Sequence, residues 1–90
     1  MYLHLGNNYV IPERDIIGIF NMDNTTVSKH TRNLLNQAEK NGRVITVSSD
    51  LPKSFVLCRG ANGEYTVYLC QISPSALAGR AEQGLGNILD

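Results

Sequence analysis

The sequence lacks tryptophan, and it lacks an excess of charge of either sign. Eight Lys and Arg residues balance eight Asp and Glu residues, and the isoelectric point is near 6.7. Single-domain DNA-binding proteins are commonly basic overall, so this balance argues against binding to nucleic acid through a general positive field. Any contact with DNA has to come from local segregation of the charges.

Cysteine and long apolar runs are also scarce. Cys58 and Cys70 are the only cysteines, the first ten residues do not resemble a secretory signal, and no stretch approaches the roughly 18 apolar residues of a membrane span. We therefore expect packed, reduced thiols in a cytoplasmic protein without membrane contact. A chain of 90 residues buries only about 60–65% of its unfolded surface, which makes assembly into a homo-oligomer the expected source of further stability.

Residues suited to catalysis are few and do not form a motif. His4 and His30 fall on different predicted elements, and neither has the spacing of a metal-binding motif. A cysteine–histidine nucleophile would need a third group to orient it, and the sequence offers no such arrangement. We therefore expect no enzyme activity, no catalytic residue, no metal and no cofactor.

Apolar alternation and turn signals predict an α+β fold built on a small antiparallel sheet. An N-terminal hairpin turns at residues 6–8, and a second hairpin turns at residues 60–63. The third strand is apolar at nearly every position, so we expect it to be covered on both faces. About six short strands are predicted, at residues 2–5, 9–11, 16–20, 44–47, 54–59 and 65–72.

One main amphipathic helix is predicted between the third and fourth strands. Asn24 or Thr25 can cap its start, and Gly42 stands where a left-handed C-terminal cap is expected. At 100° per residue one stripe faces the sheet. The stripe consists of Val27, Thr31, Leu34 and Ala38.

A second, short helix is predicted near the C-terminus. Ser73 offers a cap and Pro74 occupies the first helical position, so the helix runs to about Arg80. The glycine-broken tail over residues 82–90 is expected to be flexible. The chain is therefore interpreted as one domain over residues 1–81.

The last predicted hairpin is apolar on both faces. If Arg59 lies opposite Glu64, then Phe55, Leu57 and Tyr68 share a face that the main helix leaves uncovered. We interpret this face as a contact between subunits. The alternative is that the second helix and the N-terminal hairpin cover it.

Four segments in this order resemble a known family: "MYLHLG", "ERDIIGIF", "DLPKSFVL" and "YLCQISPSALAGRA". They are similar to the RemB branch of the RemA/RemB family of small bacterial extracellular-matrix regulatory proteins, over about residues 1–81. The resemblance implies a cytoplasmic, ring-forming, DNA-binding transcriptional regulator of biofilm matrix genes. It also implies a strand-rich fold similar to the LytTR class of DNA-binding domain.

The resemblance gives Arg14 a DNA-contacting role, because the family carries an arginine just before the corresponding strand. The RemA branch also carries an adjacent arginine pair in a later turn, where this sequence has Asp50 and Leu51. Only Lys53 keeps a positive charge in that turn. An aspartate repels phosphate, so weaker or non-specific DNA binding and contact with some other partner both stay open.

Arg14 is flanked by Glu13 and Asp15. In an extended segment the two carboxylates would point to one side and the guanidinium to the other. One arginine displaces about one counterion from duplex DNA, so its contribution becomes useful when an oligomer repeats it. An ion pair between subunits and a solvated position are the alternatives.

These patterns lead to two hypotheses. The first is an oligomeric DNA-binding regulator that contacts phosphates through Arg14, Lys53 and Arg59 without reading bases. The second is an oligomeric adaptor that binds an unknown protein partner and not DNA. The neutral charge and the Asp50-Leu51 pair favour the second hypothesis, whereas Arg14 and the resemblance favour the first.

Overall fold

The α+β class predicted from the sequence is confirmed. The computed structural model describes residues 2–22 and 28–80, and a 3₁₀ turn, Glu13–Asp15, precedes its third strand. The strands are β1 (Tyr2–Gly6), β2 (Tyr9–Pro12), β3 (Ile16–Asn21), β4 (Val44–Thr46), β5 (Ser54–Arg59) and β6 (Tyr65–Cys70), and the helices are α1 (Lys29–Lys40) and α2 (residues 74–80).

The strands form two sheets, and one pairing is parallel. β1 and β2 form an antiparallel hairpin, and the other four strands form a sheet in the order β3-β5-β6-β4. β4 pairs with β6 in parallel, which corrects the expectation of a wholly antiparallel sheet. The physical reason is that the chain reverses direction between β4 and β5 and again in the β5–β6 hairpin, so β4 and β6 run in the same direction.

Both faces of the four-stranded sheet are covered within the chain. Helix α1 covers one face, which we call the helix face, through a cluster that includes Leu34, Leu57 and Val67. The β1–β2 hairpin and α2 cover the opposite face, which we call the hairpin face, where Leu3 and Leu77 are fully buried. Of the two alternatives for the surplus apolar face, coverage by the hairpin and the second helix is therefore confirmed.

The register of the β5–β6 hairpin differs by one residue from the predicted one. Arg59 pairs with Tyr65, not with Glu64, and side chains alternate between faces, so the shift moves every β6 side chain to the other face. Phe55 and Leu57 consequently lie on the helix face with exposures of 8% and 0%. The predicted subunit interface assumed that Phe55, Leu57 and Tyr68 share one face. This assumption is corrected, because Tyr68 lies on the hairpin face.

Tyr68 packs against the N-terminal hairpin. Its ring meets the Tyr9 ring edge-on at a centroid distance of 6.3 Å. Tyr68 therefore joins the sheet to the hairpin within one chain.

Helix α1 begins later than predicted. Ser28 caps it by accepting a hydrogen bond from the Thr31 amide at 3.1 Å, so the predicted caps Asn24 and Thr25 are wrong. Those two residues, together with Val27 of the predicted stripe and the tail over residues 82–90, lie outside the described residues.

The end of α1 and the start of α2 agree with the prediction from the sequence. Gly42 follows α1 with a φ of +69°, in the left-handed region that glycine tolerates. Ser73 caps α2 by accepting a hydrogen bond from the Ala76 amide at 3.3 Å.

β3 lies at an edge of the sheet and is only partly covered. Ile17 is 46% exposed, so the expectation that β3 is covered on both faces is wrong. The Phe20 ring folds back over Gly18, where a Cβ atom would lie 2.7 Å from the ring. Phe20 also stacks on Phe55 at a centroid distance of 4.9 Å, which attaches the edge strand to β5.

We expect Leu57→Ala to lower the free energy of unfolding by about 2–5 kcal/mol, because it leaves a cavity under α1 at a fully buried site. Urea denaturation followed by circular dichroism measures this loss. Val10→Ala, at a residue 43% exposed on β2, serves as the control and should cost about 0.5 kcal/mol or less. Equal losses in the two variants would contradict the assignment of Leu57 to the core.

Candidate functional site

One end of the four-stranded sheet brings three arginines together. At this end, which we call the turn end because it carries the turn at residues 60–63, β3 and β4 begin and β5 ends. Arg14 lies just before β3, Arg43 just before β4, and Arg59 is the last residue of β5. Neighbouring strands lie about 4.8 Å apart, so the three positions spread over about 15 Å across the turn end, from β3 to β4.

Arg43 is held by its neighbours. Its Nη1 atom lies 2.8 Å from Oε2 of Glu64, and its Nε atom donates to Oγ1 of Thr66 at 3.2 Å. This pair replaces the predicted pair between Arg59 and Glu64. Arg43 was not among the predicted site residues, because only the parallel pairing of β4 with β6 brings it beside Glu64.

Arg59 is exposed and lies against an aromatic ring. Its guanidinium carbon lies 5.8 Å from the centroid of the Tyr65 ring, the distance of a cation–π contact. Within residues 2–22 and 28–80, no carboxylate lies at salt-bridge distance from it. The ring orients the guanidinium without neutralising its charge.

Arg14 projects into solvent from the 3₁₀ turn. Its side chain is 84% exposed, whereas that of Asp15 is 26% exposed, and the closest approach of the two groups is 3.8 Å. The turn corrects the expectation of an extended segment with strictly alternating sides. The flanking carboxylates nevertheless lie deeper than the arginine, because Oε2 of Glu13 is buried. The positive group is therefore outermost.

Lys53 lies apart from the two exposed arginines. Its amide donates to the Cys70 carbonyl oxygen, which places it at the opposite end of the sheet, called the loop end. It precedes Arg59, the last residue of β5, by six positions, a distance of about 20 Å. The structure thus brings Arg14 and Arg59 to one end of the sheet and not Lys53. The substituted positions Asp50 and Leu51 are exposed at the loop end with Lys53.

The thiols and imidazoles do not meet in a reactive site. Cys58 and Cys70 are free and buried, and His4 and His30 are exposed. Burial raises the pKa of Cys58 to about 12 and that of Cys70 to about 11, so neither is a thiolate near neutral pH. The expected packed thiols are confirmed.

The described part of the chain also offers no grouping for a metal. No cluster of three or more His, Cys, Asp or Glu side chains there is placed to hold an ion. None of the described helices is long and apolar enough to cross a membrane.

Comparison with known families decides the relationship. A family model described as extracellular matrix regulatory protein A-like, or RemA-like, matches residues 2–81. The chain belongs to the RemA-like family. The match spans the turn end and the loop end of the sheet, and the RemA-like family is a regulatory family and not an enzyme family. No curated protein matches the chain. The resemblance is confirmed at the level of the family, and the assignment to the RemB branch stays a prediction.

The thiols lead to a prediction about pH. Because their pKa values are higher in the folded chain than the ordinary 9.0, the unfolded chain holds fewer protons above that pH. The thiols should therefore leave the free energy of unfolding unchanged well below pH 9 and lower it as the pH rises further, by about 1.4 kcal/mol for each thiol at about pH 10. Urea denaturation at a series of pH values measures the fall.

The control is the double variant Cys58→Ala, Cys70→Ala. It starts less stable because of two small cavities, and it should lose less stability over the same alkaline range. An equal fall in both proteins would show that other groups cause it.

Proposed function

We propose that this RemA-like protein is a cytoplasmic, ring-forming, DNA-binding transcriptional regulator of extracellular-matrix genes, of the RemB type. The observation that carries the proposal is the turn end, where Arg14 and Arg59 are exposed at the ends of adjacent strands. Their ligand is the phosphate backbone. Arginine suits this role because its planar donors match phosphate oxygens.

The neutral composition is compatible with this role because the carboxylates at the turn end are either paired with an arginine or less exposed than the Arg14 side chain. Glu64 is engaged with Arg43, and the Glu13 and Asp15 carboxylates lie deeper than the Arg14 guanidinium. At Arg14 an approaching phosphate therefore meets the cation first, and the exposed Glu64 carboxylate is already paired with Arg43. An exposed pair such as Arg14 and Asp15 contributes roughly 0–1 kcal/mol, so little stability is sacrificed when Arg14 turns to DNA.

Affinity in this proposal comes from repetition. Two arginines in one copy release about two counterions, which is a weak interaction. In a ring the same pair recurs in every subunit, and the first contact raises the effective concentration of the others. Phosphate contacts orient a protein on DNA without reading its sequence. We therefore propose that the protein binds duplex DNA without a preference for a particular operator sequence.

A second function, an oligomeric adaptor that binds a protein partner, is favoured by the loop end. Asp50 and Leu51 are both exposed there, and Leu51 is 88% exposed. This surface suits another protein better than phosphate. The binding experiment below separates the two functions.

We expect the wild-type protein to bind random-sequence duplex DNA with an affinity that falls steeply as salt is raised. Arg14→Ala and Arg59→Ala should each lower the slope of log affinity against log salt by about 0.9 for every phosphate that the variant no longer neutralises. Fluorescence anisotropy across a salt series measures the slope. Light scattering on each variant checks that the assembly is unchanged.

The matched control is Arg32→Ala. Arg32 is an exposed arginine near the start of α1, and α1 reaches the turn end only at its C-terminus, so this variant should keep the wild-type slope. Lys53→Ala tests the loop end separately. An assembled wild-type protein that does not bind DNA in dilute salt would refute DNA binding and favour the adaptor.

Glu64→Gln should strengthen DNA binding. It removes the carboxylate that holds Arg43 at 2.8 Å, which frees a third cation at the turn end and should steepen the salt slope by about 0.9 for each additional phosphate neutralised. Asp50→Asn makes the same change in net charge at the loop end. Equal gains in the two variants would mean that net charge, and not the turn end, governs binding.

A further inference from the structure

The helix face carries an open apolar groove between α1 and the sheet. Its volume is about 210 Å³. Among the described residues that line it, Glu39 on α1 is the only charged one. The lining residues are Met22, Leu35, Glu39, Val44, Phe55, Val67 and Leu69.

A solvent-exposed leucine stands at the loop end of the same molecule. Leu51 is 88% exposed, the highest value among the exposed large apolar residues of the described chain. A single exposed apolar residue is common on protein surfaces. The case of Leu51 differs because the segment that carries it is ordered on both sides.

Hydrogen bonds fix this segment at both ends. The Val47 amide donates to the Leu69 carbonyl oxygen at 3.0 Å, and the Lys53 amide donates to the Cys70 carbonyl oxygen at 2.8 Å. Between them, the Asp50 amide donates to Oγ of Ser48 at 3.3 Å. The loop therefore presents Leu51 from a defined backbone.

Pro52 restricts the loop further. A residue that precedes proline is confined to extended conformations, and proline fixes its own φ. The backbone of Leu51 is thus restricted to an extended conformation in which its side chain is exposed. Presenting a side chain from an ordered loop lowers the entropy cost of binding it.

We infer that the groove is the binding site for the Leu51 side chain of a second copy of this chain. An apolar cavity of about 150 Å³ binds benzene, a molecule slightly bulkier than the isobutyl group of leucine, so the groove has room for it. The contact would cover two apolar surfaces that each chain leaves in water, Leu51 and the exposed part of the groove around Met22 and Val44.

Asp50 and Lys53 are the charges beside Leu51. In an extended segment the Lys53 side chain projects to the same side as Leu51 and the Asp50 side chain to the other, so the charge that accompanies Leu51 is complementary to that of the groove. Lys53 follows Leu51 by two residues, about 7 Å along an extended chain, and Glu39 is the charged group at the groove. When Leu51 occupies the groove, the ammonium group of Lys53 reaches the carboxylate of Glu39 on the other copy. This gives Lys53 a role in self-association at the end of the sheet remote from Arg14.

The inference rests on the self-association in the proposed function but does not depend on DNA. Leu51→Asp and Leu51→Ala test it directly, because Leu51 is outside the core and its replacement leaves the fold intact. We expect the apparent dissociation constant for self-association to rise about ten- to hundredfold in Leu51→Ala and more in Leu51→Asp. Light scattering and analytical ultracentrifugation over a dilution series, without DNA, measure it.

Tyr2→Ser is the matched control. Tyr2 is a large exposed residue on β1, 63% exposed, and it lies on the hairpin, which packs on the face opposite the groove. This variant removes a comparable apolar surface and should assemble like the wild type. An equal weakening in Tyr2→Ser and Leu51→Ala would overturn the inference.

A charge exchange tests the pairing between copies. Lys53→Glu and Glu39→Lys should each assemble more weakly alone, because each places like charges together. A mixture of the two variants should recover assembly, since the exchanged charges meet in opposite copies. Failure of the mixture to exceed either variant alone would overturn the pairing.

The outcomes separate this inference from the proposed function. If the wild type assembles and Leu51→Asp assembles equally well, the inference fails and the ring proposal stands. If Leu51→Asp is monomeric and the assembled wild type does not bind DNA, the inference stands and the DNA-binding function fails. A wild type that is monomeric at every concentration tested overturns both.

Discussion

The pairing of β5 with β6 is the constraint on which the rest of the structure depends. β5 is buried from Ser54 to Cys58, so its alternate side chains must enter two different cores, one under α1 and one under the hairpin. Because the side-chain period of a strand is two, a slip of one residue would exchange the cores of β6. The observed register also places Arg59 over Tyr65 and leaves Glu64 to Arg43.

Local patterns in the sequence predicted the elements but not their pairing. The predicted β5 matches the observed strand, and the C-terminal glycine of α1 and the serine cap of α2 were also identified correctly, because strand alternation and capping are local effects. The predicted β5–β6 register was wrong because both strands carry apolar side chains on both faces. Binary pattern specifies register only where one side is polar. The parallel β4–β6 pairing depends on strand order, which local patterns do not contain.

The candidate site shows the same division between local and long-range information. The exposure of Arg14 follows from its position between polar neighbours and was accessible from the sequence. The separation of Lys53 from Arg59 by the length of β5 required only a strand assignment, which was available. Arg43 was not accessible, because its position at the turn end depends on β4 lying beside β6. Residues on one strand can thus be placed from sequence, whereas the relative positions of residues on strands that are not consecutive in the sequence cannot.

The two ends of the sheet suit two different tasks because charge and apolar surface are segregated between them. At the turn end the Arg14 guanidinium lies above deeper carboxylates, whereas the loop end offers an ordered segment with an exposed leucine. Added salt screens the attraction between exposed charges, whereas the burial of apolar surface is not weakened by it. An assembly formed through the loop end would therefore persist at salt concentrations that release DNA from the turn end. Such a protein keeps its repeated arginines aligned whether or not DNA is bound, which is the condition that a neutral subunit needs to bind a polyanion.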